Sequence, residues 1–140
     1  MLTKQDYLEA LSILGFVKET ASRTDGSHIR FHHPKYPNLY TGITDHKNTK
    51  EMSKTVHKEI LKAITTFIWF ETRDDNNKID FNKVKDLLKK VDDELVSAVM
   101  KMLKKVNGNN ITHIIPQRLH DEVLKLYDNV SLEDISSYIQ

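Results

Sequence analysis

The sequence predicts an α+β fold, with an α-β-β-β-α domain over residues 1–70 and a helical extension over residues 71–140. Three observations predict this arrangement. Apolar residues recur at helical spacing near the start of the chain and again over residues 56–67. Three strand-like segments lie between these helices, and their connections are short enough for a three-stranded antiparallel sheet. Beyond residue 73 the apolar residues again follow a helical spacing.

The first helix is expected to follow Thr3, because a threonine hydroxyl at the N-cap accepts a hydrogen bond from the first turn. Gly15 is expected to end this helix, since glycine readily takes the left-handed conformation that follows many helices. Turn-forming residues separate the strand-like segments. The three strands are expected at residues 16–21, 27–33 and 39–44.

A long helix is expected from near Ser53, and its apolar stripe continues into Trp69 and Phe70. A helix that is apolar on more than one side must be buried on more than one side. These aromatic residues are therefore expected to pack against the extension rather than to stack on bases. Helix starts within the extension are expected at Asp80, Asp92, Pro116 and Ser131.

The second predicted strand distributes its side chains over two faces, because successive residues of a strand point to opposite sides. The face expected to pack on the helices carries Ile29, Phe31 and His33. The open face is then expected to carry His28, Arg30 and His32. Two histidines and an arginine form a surface suited to phosphates, and an ordinary solvated strand face can have the same composition.

Several motifs around this strand resemble HicA-type toxins. Gly26-Ser27-His28 opens the strand and His33-Pro34 closes it, as in that family, and the α-β-β-β-α order agrees. Further segments, at residues 11–16, 41–48 and 54–62, are similar to the family's first helix end, third strand and final helix. The resemblance covers about residues 3–65.

This resemblance implies a fold similar to the double-stranded RNA-binding domain and the activity of an endoribonuclease that cleaves mRNA, with His28 in the catalytic position. Metal-free cleavage uses the 2′-hydroxyl of the RNA as nucleophile. It needs a group that moves a proton near neutral pH, which histidine does, and cations beside the phosphate. The residues expected to contact RNA are Ser27, Arg30, His32, Lys47, Lys50 and Lys54.

Two features favour an alternative function, a non-catalytic module that binds RNA or a protein, such as a phage- or plasmid-type regulator of a host system. Asp25 stands where the family often has a basic residue, and the net charge is only +1. Simple HicA toxins also end near the second helix, before the extension. The expected partners are RNA, an antitoxin-like or other protein, and a second copy of the chain through residues 71–140.

No metal or other cofactor is expected. The histidines lack the His-Glu-x-x-His spacing, and strand alternation separates His33 from His28 and His32. Residues 72–83 imitate a calcium loop but lack its first Asp, its Gly and its last Glu. His57 is expected to be solvated at the edge of the long helix. The absence of Cys excludes a thiol nucleophile and a disulfide scaffold.

A cytoplasmic location without a membrane partner is expected. No apolar run approaches the ~20 residues that cross a bilayer. The N-terminal residues also lack the apolar core of a secretory signal.

Overall fold

The computed structural model describes residues 2–19, 28–44 and 54–114. Within these ranges the fold is α+β, as predicted, with four α-helices and a three-stranded antiparallel sheet. The elements in chain order are α1 (Lys4–Ile13), β1 (Val17–Lys18), β2 (His28–His33), β3 (Tyr36–Thr44), α2 (Lys54–Thr72), α3 (Phe81–Leu87) and α4 (Asp93–Val106), before a 3₁₀-helix at Ile111–His113. The helices expected at Pro116 and Ser131 lie outside the described residues.

Both ends of α1 are fixed by local hydrogen bonds, as its sequence predicts. Thr3 Oγ1 accepts a hydrogen bond from the backbone of Asp6, and the Asp6 carboxylate accepts one in return from the Thr3 backbone. The hydrogen bonds that the Asp6 carboxylate accepts from the Thr3 backbone N–H and from the Thr3 hydroxyl lower the pKa of Asp6. At the other end, Gly15 has a φ of 91°, and the Phe16 N–H donates to the carbonyl of Leu11.

Within the described residues, the strand bounds differ from the prediction at three places. β1 ends at Lys18, although it is expected to reach residue 21. β1 begins at Val17 rather than at residue 16, because the N–H of Phe16 caps α1 and its side chain is buried. β3 begins at Tyr36 rather than at residue 39, since a two-residue turn lets Tyr36 pair with His33. Pro37 is tolerated there because β3 is an edge strand, in the order β1-β2-β3.

Helix α2 lies between the sheet and the helical part of the chain. Over residues 63–70 every side chain is buried. One side contacts the sheet, where the Phe67 ring stacks on His33 of β2 with centroids 4.3 Å apart. Trp69 is fully buried, and α2 also contacts α3 and α4. A single apolar cluster therefore includes residues from both halves of the described chain.

The buried threonines of α2 keep their hydroxyls hydrogen-bonded. Thr66 and Thr72 donate to backbone carbonyls one turn earlier in the helix, each at 2.7 Å. Thr65 donates to the sulfur of Met102 on α4, at 3.8 Å. These partners offset the cost of removing each hydroxyl from water, so polar residues fit on the buried sides of the helix.

Helices α3 and α4 each contact α2. Asp80 and Asp92 cap their N-termini, as predicted, by accepting hydrogen bonds from the first-turn N–H groups. The far end of α4 returns to the start of α3, where the Asn107 side chain accepts from the N–H of Ile79 at 2.9 Å. A turn follows α4 at Asn107-Gly108, and Gly108 has a φ of 81°.

Candidate nucleic-acid interface

The open face of the sheet carries two of the residues that the sequence assigns to RNA binding. On β2, Arg30 is exposed and His32 is half-buried, whereas Phe31 and His33 are buried against the helices. The predicted alternation is confirmed for these four residues. Strand pairing places Val17, His32 and Tyr40 side by side across the sheet.

A carboxylate lies between the two basic side chains of this face. Glu19 Oε2 is 3.1 Å from Arg30 Nε and 3.6 Å from His32 Nδ1. The Glu19 backbone N–H also donates to the Arg30 carbonyl at 2.9 Å, which fixes the residue beside β2. The Glu19 carboxylate therefore partly neutralises the positive charge of Arg30.

An aromatic ring completes the group. The guanidinium carbon of Arg30 lies 4.0 Å from the centroid of the Tyr40 ring, a cation–π contact. Tyr40 remains 45% exposed, although it is a large side chain in the middle of β3. Arg30 is thus held by two neighbours, one charged and one aromatic, and still has 55% of its side chain exposed.

Neither Glu19 nor Tyr40 is among the residues singled out from the sequence. For Glu19 a signal existed, since it lies two positions after Val17 and alternation gives both residues the same face. Tyr40 shares a face with Gly42 by the same rule. Their proximity to Arg30 follows from the pairing of three strands, and the sequence of one strand does not contain that register.

His33 belongs to the core rather than to this interface. Its Nε2 donates to the carbonyl of Leu14 at 3.0 Å, and its Nδ1 accepts from the backbone N–H of Lys35 at 3.1 Å. Its ring stacks on Phe67 with centroids 4.3 Å apart. Burial lowers the pKa of His33, so the ring is neutral and links the end of α1 to the sheet.

The close packing around His33 also explains Gly15. A Cβ atom at Gly15 would lie 3.2 Å from Nε2 of His33, closer than a side chain normally allows. The glycine thus serves both the turn, through its positive φ, and the approach of the imidazole ring.

The expectation that His57 is solvated is wrong. The ring is half-buried, and its Nδ1 lies 3.0 Å from the Tyr7 hydroxyl. The two rings also meet edge-on, with centroids 5.2 Å apart. Burial raises the pKa of Tyr7. This pair connects α1 to α2 and has a structural role.

The remaining predicted site residues are distributed differently. Lys54 is exposed at the first residue of α2. The backbone of His28 pairs with Thr44 at the start of β2, and its side chain lies outside what the structure describes. Ser27, Lys47 and Lys50 lie outside the described residues. The described structure thus brings together Arg30 and His32, with Glu19 and Tyr40 beside them.

Comparisons of this chain with models of protein families, with curated proteins and with solved structures find no match. In residues 2–19, 28–44 and 54–114, no group of three or more His, Asp or Glu side chains is arranged to hold a metal ion. None of the helices in these ranges has the length and apolar character needed to cross a membrane.

Proposed function

We propose that the chain is an RNA-binding protein that cleaves RNA without a metal ion, as its resemblance to HicA-type toxins implies. One observation supports this proposal best: Arg30 and His32 lie together on the solvent-facing side of β2. A cation and an imidazole on one face are the two kinds of group that metal-free phosphodiester cleavage uses. The α-β-β-β-α order from α1 to α2 supports a fold similar to the double-stranded RNA-binding domain.

The proposed reaction is an internal transfer within the RNA. His28 removes the proton of a 2′-hydroxyl, whose oxygen attacks the adjacent phosphorus, and the bond to the 5′-oxygen breaks as that oxygen takes up a proton from water. Arg30 lies beside the phosphate and stabilises its added negative charge. Ser27, His32, Lys47, Lys50 and Lys54 bind the flanking RNA. No cofactor takes part in this proposal, and the cytoplasm is the proposed location.

A second candidate function is a module that binds RNA or a protein without cleaving it. The carboxylate of Glu19 favours this candidate, because one of its oxygens lies close to both Arg30 and His32 and reduces the positive potential of the face. An antitoxin-like partner, and a homodimer formed through residues 71–140, are compatible with either function.

Cleavage by the wild type and by His28→Ala distinguishes the two functions. We expect the substitution to slow cleavage of a single-stranded RNA by about 10²–10⁴-fold in buffer that contains a chelator, the usual scale for a general acid or base. His113→Ala, which removes an exposed histidine from the 3₁₀-helix, is the matched control and should cleave normally.

Equal cleavage by wild type and His28→Ala would refute the role of His28. Binding without cleavage would support the non-catalytic RNA-binding module. Its affinity should fall as salt is raised, with a slope that corresponds to the release of a few counterions. A wild type that binds no RNA at low salt would point to a protein partner.

A further inference from the structure

The open sheet face has an apolar component besides its charges. Tyr40 is 45% exposed and Val17 is 40% exposed, and both flank His32 in the same row across the sheet. An aromatic ring in this position offers a flat apolar surface to solvent. Such rings on open sheets are suited to stacking, because every nucleobase has a π face of comparable size.

The sheet backbone beside Tyr40 forms a floor that no side chain covers, because the residue there is a glycine. The backbone conformation at this position does not require glycine. Gly42 is directly opposite Arg30 in the strand pairing. A Cβ atom at Gly42 would meet only the carbonyl of Ile29, at an ordinary contact distance of 3.7 Å. The fold would therefore tolerate a side chain there. Its absence leaves the exposed backbone of Gly42 uncovered by a side chain next to the Arg30–Tyr40 pair.

Arg30 adds a charge to this flat surface. Its guanidinium group lies over the Tyr40 ring, 4.0 Å from the centroid, while more than half of the side chain is exposed. A base can stack on the outer face of a guanidinium plane, and the N–H groups at its edge donate to a phosphate. One residue can thus contact both parts of a nucleotide.

We infer that Arg30, Tyr40 and the uncovered floor at Gly42 form a subsite for an unpaired nucleotide of single-stranded RNA. In a duplex each base is stacked between its neighbours, so its faces are not accessible to a side chain on a flat sheet. The subsite therefore selects single-stranded over double-stranded RNA. This inference rests on the proposed function, that the chain binds RNA, and it does not require cleavage.

The test is the binding of the full chain to a fluorescently labelled, unstructured RNA oligonucleotide and to the same strand annealed to its complement, measured by anisotropy. We expect the wild type to bind the single strand more tightly. Tyr40→Ala removes the ring that supports the Arg30 guanidinium, so it should weaken that binding by about 5- to 150-fold, the scale of one lost base stack, and should leave duplex binding unchanged. Tyr40→Phe keeps the ring and should bind like the wild type.

Two further variants separate loss of the subsite from loss of the fold. Gly42→Val covers the floor without removing Arg30 or Tyr40, and it should also weaken binding of the single strand. Ile13→Ala removes a side chain of similar exposure, 43%, from α1 and should have no effect. Each variant is first checked for native circular dichroism.

Two results would overturn the inference, and they differ in what they leave standing. If the wild type binds RNA, and Tyr40→Ala and Gly42→Val bind the single strand as tightly as the wild type does, the proposed subsite is wrong and RNA binding stands. If the wild type binds neither the single strand nor the duplex, the proposed function fails as well, and the face belongs to a protein partner.

Discussion

Replacing Glu19 with Gln should strengthen RNA binding. The Glu19 carboxylate lies 3.1 Å from Arg30 Nε, so a phosphate that binds Arg30 must compete with it. Glutamine has the same size and removes the charge, which leaves the guanidinium available to the phosphate. The substitution therefore measures how far the carboxylate reduces the affinity of the open face for anions.

The expected magnitude follows from the distance and the exposure. Two unit charges 3.1 Å apart attract by about 1.3 kcal/mol in bulk water. The side chains of Arg30 and Glu19 are 55% and 34% exposed, so salt screening and lost side-chain entropy reduce the net value to about 0.2–1 kcal/mol. Without the competing carboxylate, the affinity of Glu19→Gln for RNA should be about 1.5- to 5-fold higher than that of the wild type.

The assay is a titration of single-stranded RNA at low salt, repeated as salt is raised. Glu9→Gln is the control, because Glu9 is exposed on α1 and its substitution makes the same change in net charge. The gain for Glu19→Gln should exceed that of the control and should shrink with salt. Weaker binding, or a gain equal to that of Glu9→Gln, would refute the idea that Glu19 competes with phosphate.

Two predictions concern stability. Burial lowers the pKa of His33 below its ordinary value of 6.5, so the unfolded chain binds this proton more tightly and stability falls as pH drops below about 6.5. Between about pH 8 and about pH 5, the free energy of unfolding measured with urea should fall less for His33→Gln than for the wild type. An equal fall would contradict the interpretation that His33 is buried in its neutral form. Trp69→Ala should lower the free energy of unfolding by about 3–5 kcal/mol, because the ring is fully buried and its loss leaves a cavity. Urea unfolding followed by circular dichroism checks this value, and a loss below about 0.5 kcal/mol, typical of surface substitutions, would place the ring outside the core.

The helix starts are the part of the fold that the sequence predicts most accurately. Thr3, Asp80 and Asp92 each cap the helix that follows them, and the donors and acceptors of each cap lie within three residues along the chain. The strand bounds are less accurate for a related reason. Tyr36 joins β3 because it pairs with His33 across a turn, and residue type alone does not reveal that pairing.

The residues of the candidate site also divide into those that the sequence predicts and those whose role needs the tertiary structure. Strand alternation within β2 is enough to predict that Arg30 and His32 face solvent while His33 faces the core. The role of His33 needs the tertiary structure, because its partners Leu14 and Phe67 lie on two other elements. The pairing of His57 with Tyr7 likewise joins residues that are 50 positions apart.

The sequence by itself determined the α+β class, the helix caps and the two faces of β2, since each depends on residues close together in the chain. Only the tertiary structure decided what surrounds Arg30. Glu19 follows β1 and Tyr40 belongs to β3, and the register of three strands brings both to the same arginine. Register depends on contacts between strands, so the charge balance and the aromatic surface of the site follow from the folded sheet.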